Sequence, residues 1–578
     1  MSRTILAAVA LLSVTALAGS ATASPGSADG HFDRPQQGFA PSGTVLRDGT
    51  PEDVGLDPAP IAAALEQIAA WTERVPDREH PMFAGAVSLL VHDGVVVRRE
   101  AVGHEQRYSD GAGTELPADQ QEPVGVDTIF DVASISKLFT SIAALQLVDD
   151  GEVELDAPVA QYVPEFGVNG KQDITVEQLL THTSGLQAEA QLWKLPPEQR
   201  IPSIMQLTPK HPPGSNYTYS DPNMITLGVL VQRVTGEPLD RVVAERITEP
   251  LGMRDTGYNP PAEELHRIAA TEFQTDPPRG MVRGQVHDEN AWSLGGVAGQ
   301  AGVFSTADDL AVLGQALLNG GTYDGSRILS EDSVTRMLTN YNDAFPGHAH
   351  GLGFELDQRW YMAGLSAPHS AGHTGYTGTS LVVDPLSRTV AVLLTNRVHP
   401  SREWGSNNPA RQALAQGMAQ ALAVGPEFGS ASWFTDRAGT LTTDPLGPVS
   451  GPVQVTYSAF VDTQEDSDGA DQLLLESSVD GTNWQPVPVQ ATGPGAPEAP
   501  EQQLAGSGHR SWWEVDASVA ADPGQQVQLR WRYAPDDQYT GRGVNVDGIL
   551  VADRNATLLD GELQTDRLHA EGWTSASR

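Results

Sequence analysis

Apolar residues recur with helical spacing at Ile61, Ala64, Leu65, Ile68 and Trp71, which predicts a first helix. Over residues 85–103 the period shortens: two β-branched runs flank His92, Asp93 and Gly94, and Asp-Gly between such runs predicts a hairpin. "GTSLVVDPLSRTVAVLLTN", residues 378–396, predicts a second hairpin around Asp384 and Pro385, and helical spacing returns over residues 409–422. Helix and hairpin at the front, with hairpin and helix at the back, predict one antiparallel sheet with helices packed on it. Residues 134–317 read as mostly helical and are expected to form a second lobe, so residues 56–424 are expected to be a two-lobed α+β domain. After "VGPEFGSAS", short β runs take over at 453–461, 473–479, 527–533 and 544–551. Asp480-Gly481 and Pro523-Gly524 mark turns between them, which predicts an all-β sandwich over residues 433–578 behind a linker at 425–432. The Gly- and Pro-rich stretch 493–508 reads as an exposed loop of that sandwich.

The N-terminus changes this picture. Arg3, an apolar run over residues 5–18, and Ala21-Thr22-Ala23 read as a signal peptide, residues 1–23, so a secreted protein is expected. Residues 24–55 are polar and rich in Gly and Pro, and read as a flexible leader. No later apolar run is long enough to span a bilayer. The absence of cysteine excludes a disulfide scaffold, a thiol nucleophile and a Cys-ligated metal. With 35 basic and 74 acidic residues the net charge is −39, which argues against nucleic acid or an anionic lipid surface as partner.

Three clusters carry candidate chemistry. In "FDVASISKLFTSIAAL", Ser134 and Lys137 stand three apart where a strand-like segment turns into an apolar helix, so both side chains share one face. A lysine desolvated among Phe130, Leu138 and Phe139 can lose its proton readily enough to activate a serine hydroxyl. Taken alone, the spacing fits equally well an N-cap serine with a solvated lysine. In "PPGSNYTYSDPNM", Tyr219 offers a phenol for proton transfer and Asp221 a carboxylate to hold a cation. That loop also fits a turn that starts a helix with Asp221 as its N-cap. In "AGHTGYTGTS", glycines in a strand let a ligand or another backbone approach, and His373 can place a positive or hydrogen-bonding group there.

In that order the clusters resemble the Ser-x-x-Lys, Tyr-x-Asn and His/Lys-Thr-Gly signature of the serine β-lactamase and penicillin-binding protein superfamily. "DITVEQLLTHTSGL" and "GGVAGQAGVFSTADDL" are similar to framework segments of its class C β-lactamase-like branch. The resemblance implies Ser134 as the acylated nucleophile, Lys137 as its base and Tyr219 as the proton relay to the leaving group. It implies His373 and Thr374 as binders of the substrate carboxylate, Gly375 as the close-approach position, and the N–H groups of Ser134 and Tyr376 as oxyanion hole. Two positions depart from the pattern. Asp221 replaces the usual Asn and would raise the Lys137 pKa, leaving Asp221 as a proton relay or Asn223 as the source of the amide. His373 stands where most β-lactamases carry Lys, as in secreted D-alanyl-D-alanine carboxypeptidases of this branch.

The expected function is therefore a secreted serine hydrolase, cofactor-free, acting on a D-alanyl peptide, β-lactam or small ester. The alternatives are a class C-like β-lactamase, an esterase, or a non-catalytic binder of cell-wall peptides. Elsewhere, His287, Asp288 and Glu289 are adjacent and point in different directions, which speaks against a shared metal. His182 reads as a helix end capped by Gly185. Residues 462–471 contain an Asp-x-Asp-Gly piece without the closing Glu of a Ca²⁺ loop, and read as a solvated acidic turn. The sandwich resembles the jelly-roll modules of immune-inhibitor-A-type secreted metallopeptidases, implying cell-wall, glycan or protein docking, or stabilisation. Trp484, Trp512 and Trp513 suit sugar stacking or core.

Overall fold

The computed structural model of the chain describes residues 30–74, 79–464, 471–507, 509–536 and 541–577. The expected signal peptide lies outside the described residues, as do residues 465–470 of the acidic turn. Among the described residues no helix is long and apolar enough to cross a membrane.

Helix α1 (Pro58–Ala70) starts at Asp57, whose carboxylate accepts the Ala59 N–H. Strands β1 (Gly85–His92) and β2 (Val95–Gln106) form the first hairpin, turning through Asp93 and Gly94, both at positive φ as this tight turn requires. Then come α2 (Ser136–Asp149), α3 (Val176–Leu180), α4 (Asp221–Thr235) and α5 (Ala307–Leu318). The short edge strand β3 (Glu355–Leu356) precedes β4 (Ala371–Thr374), β5 (Ser380–Asp384), β6 (Thr389–Thr395) and α6 (Asn408–Ala421). These six strands lie in the order β2-β1-β6-β5-β4-β3, every neighbouring pair antiparallel. Both hairpins thus meet through β1 and β6 in one sheet.

Every residue of β1 and β6 is buried because both faces of the sheet are covered. Val87, Leu89, Val91, Val390, Val392 and Leu394 point into the core shared with α2 and α5, while Ala86, Leu90, Ala391 and Leu393 point toward α1 and α6. The placement of α5 differs from the sequence expectation: it packs on β5 and β6 and closes the second face of the sheet. The helical lobe therefore ends before α5, and α2, buried on almost every side, is its centre.

The expected leader is not loose where it is described. Phe32 is fully buried, and the N–H groups of Phe32, Gln36 and Ala40 donate to the carbonyls of Ala423, Leu386 and Leu318. An apolar Phe within a polar, Gly-rich stretch was the signal for this anchoring.

From Ser432 onward the chain forms two facing sheets, one of seven strands and one of five, around a core that includes Trp513, Trp531, Tyr533 and Val546. The sandwich sits directly on the first domain. Phe460 joins the α1/α6 core, with Trp512 packed against it. The Arg510 Nη1 donates to Asp384 Oδ2 at 2.7 Å with neither side chain exposed, and Arg542 donates to the Ala419 and Leu422 carbonyls at the end of α6. The connecting segment is held too, since the Glu427 and Phe428 N–H groups donate to Asp547. Trp512 and Trp513 are thus packing residues, while Trp484 stacks on Arg530 nearer the surface.

Candidate active site

Ser134 stands on the turn between the two-residue strand Phe130–Asp131 and α2. Ala133 takes φ 48, a costly backbone for a residue with a Cβ. The buried Asp131 carboxylate enforces it, accepting the Ala133 N–H at 2.9 Å and the His287 N–H at 2.6 Å. The loop after β4 is tied to the same segment: Thr377 Oγ1 donates to the Asp131 carbonyl and Thr379 Oγ1 to the Val132 carbonyl. A Cβ on Gly375 would lie 2.1 Å from Thr379 Oγ1 and 2.4 Å from Val132 O, so the close approach that needs this glycine is protein against protein. Tyr376, next in the chain, has a backbone N–H without an acceptor among the described residues.

Lys137 follows one helical turn after Ser134, and its Nζ has three acceptors: Ser134 Oγ at 3.0 Å, the Gln300 carbonyl at 3.1 Å and Asp221 Oδ1 at 2.9 Å. Three acceptors match the three protons of an ammonium. Burial opposes that charge, yet Asp221, with Tyr219, outweighs it and holds the Lys137 pKa above its ordinary value. Nζ lies 4.8 Å from the Tyr219 ring centre, and the Tyr219 hydroxyl faces both Ser134 and Lys137. Burial pushes that phenol up, so it carries its proton at neutral pH. Behind the pair, Asp288 Oδ1 accepts from Gln300 Nε2, and burial, then the Asp221 charge, pushes its carboxyl up to about 6.

Asp221 is free to pair because it is not the cap. Ser220 caps α4, its Oγ accepting the Asn223 N–H, and Asp221 is the first helical residue. Asn223 does not reach Lys137: its Oδ1 accepts from Ser184 Oγ at 2.6 Å and its Nδ2 lies 3.4 Å from His182 Nδ1. The amide expected from Asn223 is therefore spent on holding the loop. His182 does end α3, but Gly185 is not its cap. His182 itself takes φ 59, with the His182 and Thr183 N–H groups donating to the Leu179 and Gln178 carbonyls, a Schellman closure. Its ring then packs 4.8 Å from that of Tyr219, with Nδ1 accepting the Ser220 N–H.

His373 differs most from expectation. Its side chain is buried, Nδ1 donates to the Thr374 carbonyl at 2.8 Å, and burial lowers its pKa to about 3. It is neutral and supplies no positive charge. Ser134, Tyr219, Thr374, Gly375 and Tyr376 line a cavity of about 240 Å³, and the cations on its wall are Arg397 and Arg411. Arg411 Nη2 donates to the Gly375 and Thr379 carbonyls, and Arg397 Nε to the Tyr376 carbonyl with its guanidinium 4.5 Å from the Tyr376 ring. The sequence carried a signal for Arg411: it shares a helix face with Leu414, Ala415 and Met418, all buried, where a charge is unusual. The residues of "VHDEN" go to separate partners. His287 Nε2 meets Glu272, Asp288 caps a short helix, and Glu289 pairs with Arg402.

A family model described as beta-lactamase matches residues 68–416, more than half of the chain. The chain belongs to the beta-lactamase family. Among proteins similar to it, one from Escherichia coli, named "Putative D-alanyl-D-alanine carboxypeptidase", is 32% identical over 399 residues, covering 63% of this chain and 88% of that one. One of the same name from Salmonella schwarzengrund is 31% identical over 436 residues, covering 69% and 95%. The fold is that of a solved penicillin-binding protein homolog from Caulobacter crescentus, at TM-score 0.50 and 24% identity over 64% of this chain and 99% of that one. A class C beta-lactamase also matches at TM-score 0.50, with 18% identity over 64% and 96%. This family membership makes the first domain a beta-lactamase-fold serine hydrolase domain with carboxypeptidase-named relatives.

Proposed function

We propose that the chain is a secreted D-alanyl-D-alanine carboxypeptidase-type hydrolase working through an acyl-Ser134 intermediate. The observation that carries this reading is the Ser134 Oγ–Lys137 Nζ contact of 3.0 Å on the floor of a cavity whose wall holds Arg397 and Arg411. A C-terminal carboxylate suits those two cations, and a scissile carbonyl then reaches Ser134.

In acylation, Ser134 Oγ attacks the carbonyl carbon. Its proton passes to Lys137 Nζ as Nζ passes one to Asp221, so the pair accepts one proton as a unit. The oxyanion is held by the N–H groups of Ser134 and Tyr376. The Tyr219 phenol protonates the departing amine, and Lys137 and Asp221 return the proton to Tyr219, which restores the resting state. Water repeats the sequence in reverse on the ester. The neutral His373 adds no charge to the carboxylate site, and this favours a second reading, a small-ester esterase on the same machinery. The sandwich serves this reading as a structural wall, with cell-wall or glycan docking left to its outer face.

The test is release of D-alanine from an acylated peptide ending in D-alanyl-D-alanine. Ser134-dependent release supports the carboxypeptidase reading. Hydrolysis of an activated ester with no D-alanine released would replace it by the esterase reading.

A further inference from the structure

Glu355, on the edge strand β3, lines the cavity beside Ser134, Tyr219 and Arg411, yet the chemistry above leaves it without a task. Its Oε2 is buried and has no hydrogen-bond partner among the described residues. The hydroxyl of Tyr361 faces the carboxyl without reaching hydrogen-bond geometry. Arg411 from α6, Lys137 from α2 and Tyr217 from the loop ahead of α4 also face it, and His350 is paired to its backbone. His350 is neutral, lowered by burial to about 4.

A buried carboxylate oxygen with no donor is expensive, whereas a protonated carboxyl is a donor in need of an acceptor. Burial pushes the Glu355 carboxyl up to about 7, so the protonated form is present near neutrality. A ligand is then the partner the protein does not provide.

We infer that Glu355 is a specificity-determining residue that makes the cavity distinguish a substrate's free terminal carboxylate from the corresponding ester or amide. Protonated, Glu355 donates to the carboxylate alongside Arg397 and Arg411; ionised, it repels the same group and pairs with Arg411 instead. A neutral terminus is indifferent to this change. The inference rests on the carboxylate-terminated substrate proposed above.

The test compares KM for a peptide ending in free D-alanine with KM for its methyl ester between about pH 5 and 9. For the free acid, KM is expected to rise up to about tenfold per pH unit above the Glu355 titration, while KM for the methyl ester stays level. Glu355→Gln is expected to flatten the free-acid profile with kcat within about threefold of wild type. Parallel profiles for the two substrates, or an unchanged slope in the variant, would overturn the inference. If the peptides are not turned over, the carboxypeptidase reading is what fails. Inhibition of neutral-ester hydrolysis by N-acetyl-D-alanine against its amide then reads the same slope, and a pH-independent ratio of the two inhibition constants overturns the inference.

Discussion

Lys137 with Asp221 and Arg510 with Asp384 are both buried acid–base pairs, and they are finished differently. Asp384 accepts from Arg510, Ser387, Ser370 and the Leu386 N–H, while Arg510 also donates to the Leu365 carbonyl and lies over the Phe32 ring. Neither side chain is exposed, and every group around them is a hydrogen-bond partner or packing contact of the pair. Lys137 and Asp221 instead lie behind a cavity lined by Ser134 and Tyr219, with that serine hydroxyl and that phenol beside them. The first pair locks two domains together. In the mechanism proposed, the second keeps a proton poised next to the serine that a substrate would reach.

The locking pair should show the larger effect on stability. Arg510→Ala leaves the Asp384 charge buried alone, and urea unfolding should show a loss of about 3–5 kcal/mol. Arg510→Met with Asp384→Asn should recover much of that loss, because a buried pair replaced as a whole costs little. An unchanged midpoint in Arg510→Ala would mean the domains do not depend on this contact. The catalytic pair should show the opposite balance. Lys137→Met should lower kcat/KM on the order of 10³-fold and cost less stability than Arg510→Ala, because Asp221 is 19% exposed and water can solvate its unpaired charge, whereas Asp384 is fully buried. A strongly destabilised variant would make Lys137 a structural ion as well, and would erase the contrast.

How much of this was legible in the sequence follows from the range of the forces involved. Both hairpins, α1, α6 and the β runs of the sandwich are written locally, as period and turn residues, and they formed as expected. Ser134, Lys137 and Tyr219 were visible for the same reason, because a helical turn and a short loop place them. What stayed hidden was set by distant packing. Arg397, Glu355 and the Gln300 carbonyl reach the site through sheet order and long loops. The neutral state of His373 follows from a burial that "AGHTGYTGTS" does not announce. Phe32 looked like part of a loose leader because its partners lie hundreds of residues downstream, in Ala423 and Phe460.

In the mechanism proposed, Lys137 and Asp221 accept the Ser134 proton as one unit. The most direct test is the pH dependence of acylation in wild type and Asp221→Asn, using a neutral activated ester so that Glu355 does not intervene. Asp221 holds Lys137 as an ammonium in the wild type, and if it also takes the Lys137 proton during attack, as proposed, the acid limb reports protonation of the pair. In the variant, attack must wait for a neutral Lys137, and the acid limb should move to higher pH, with a slower rate at pH 7. An acid limb that moves to lower pH, with a faster rate at pH 7, would rule out a shared proton acceptor. It would mean that Lys137 acts alone and that Asp221 only restrains it.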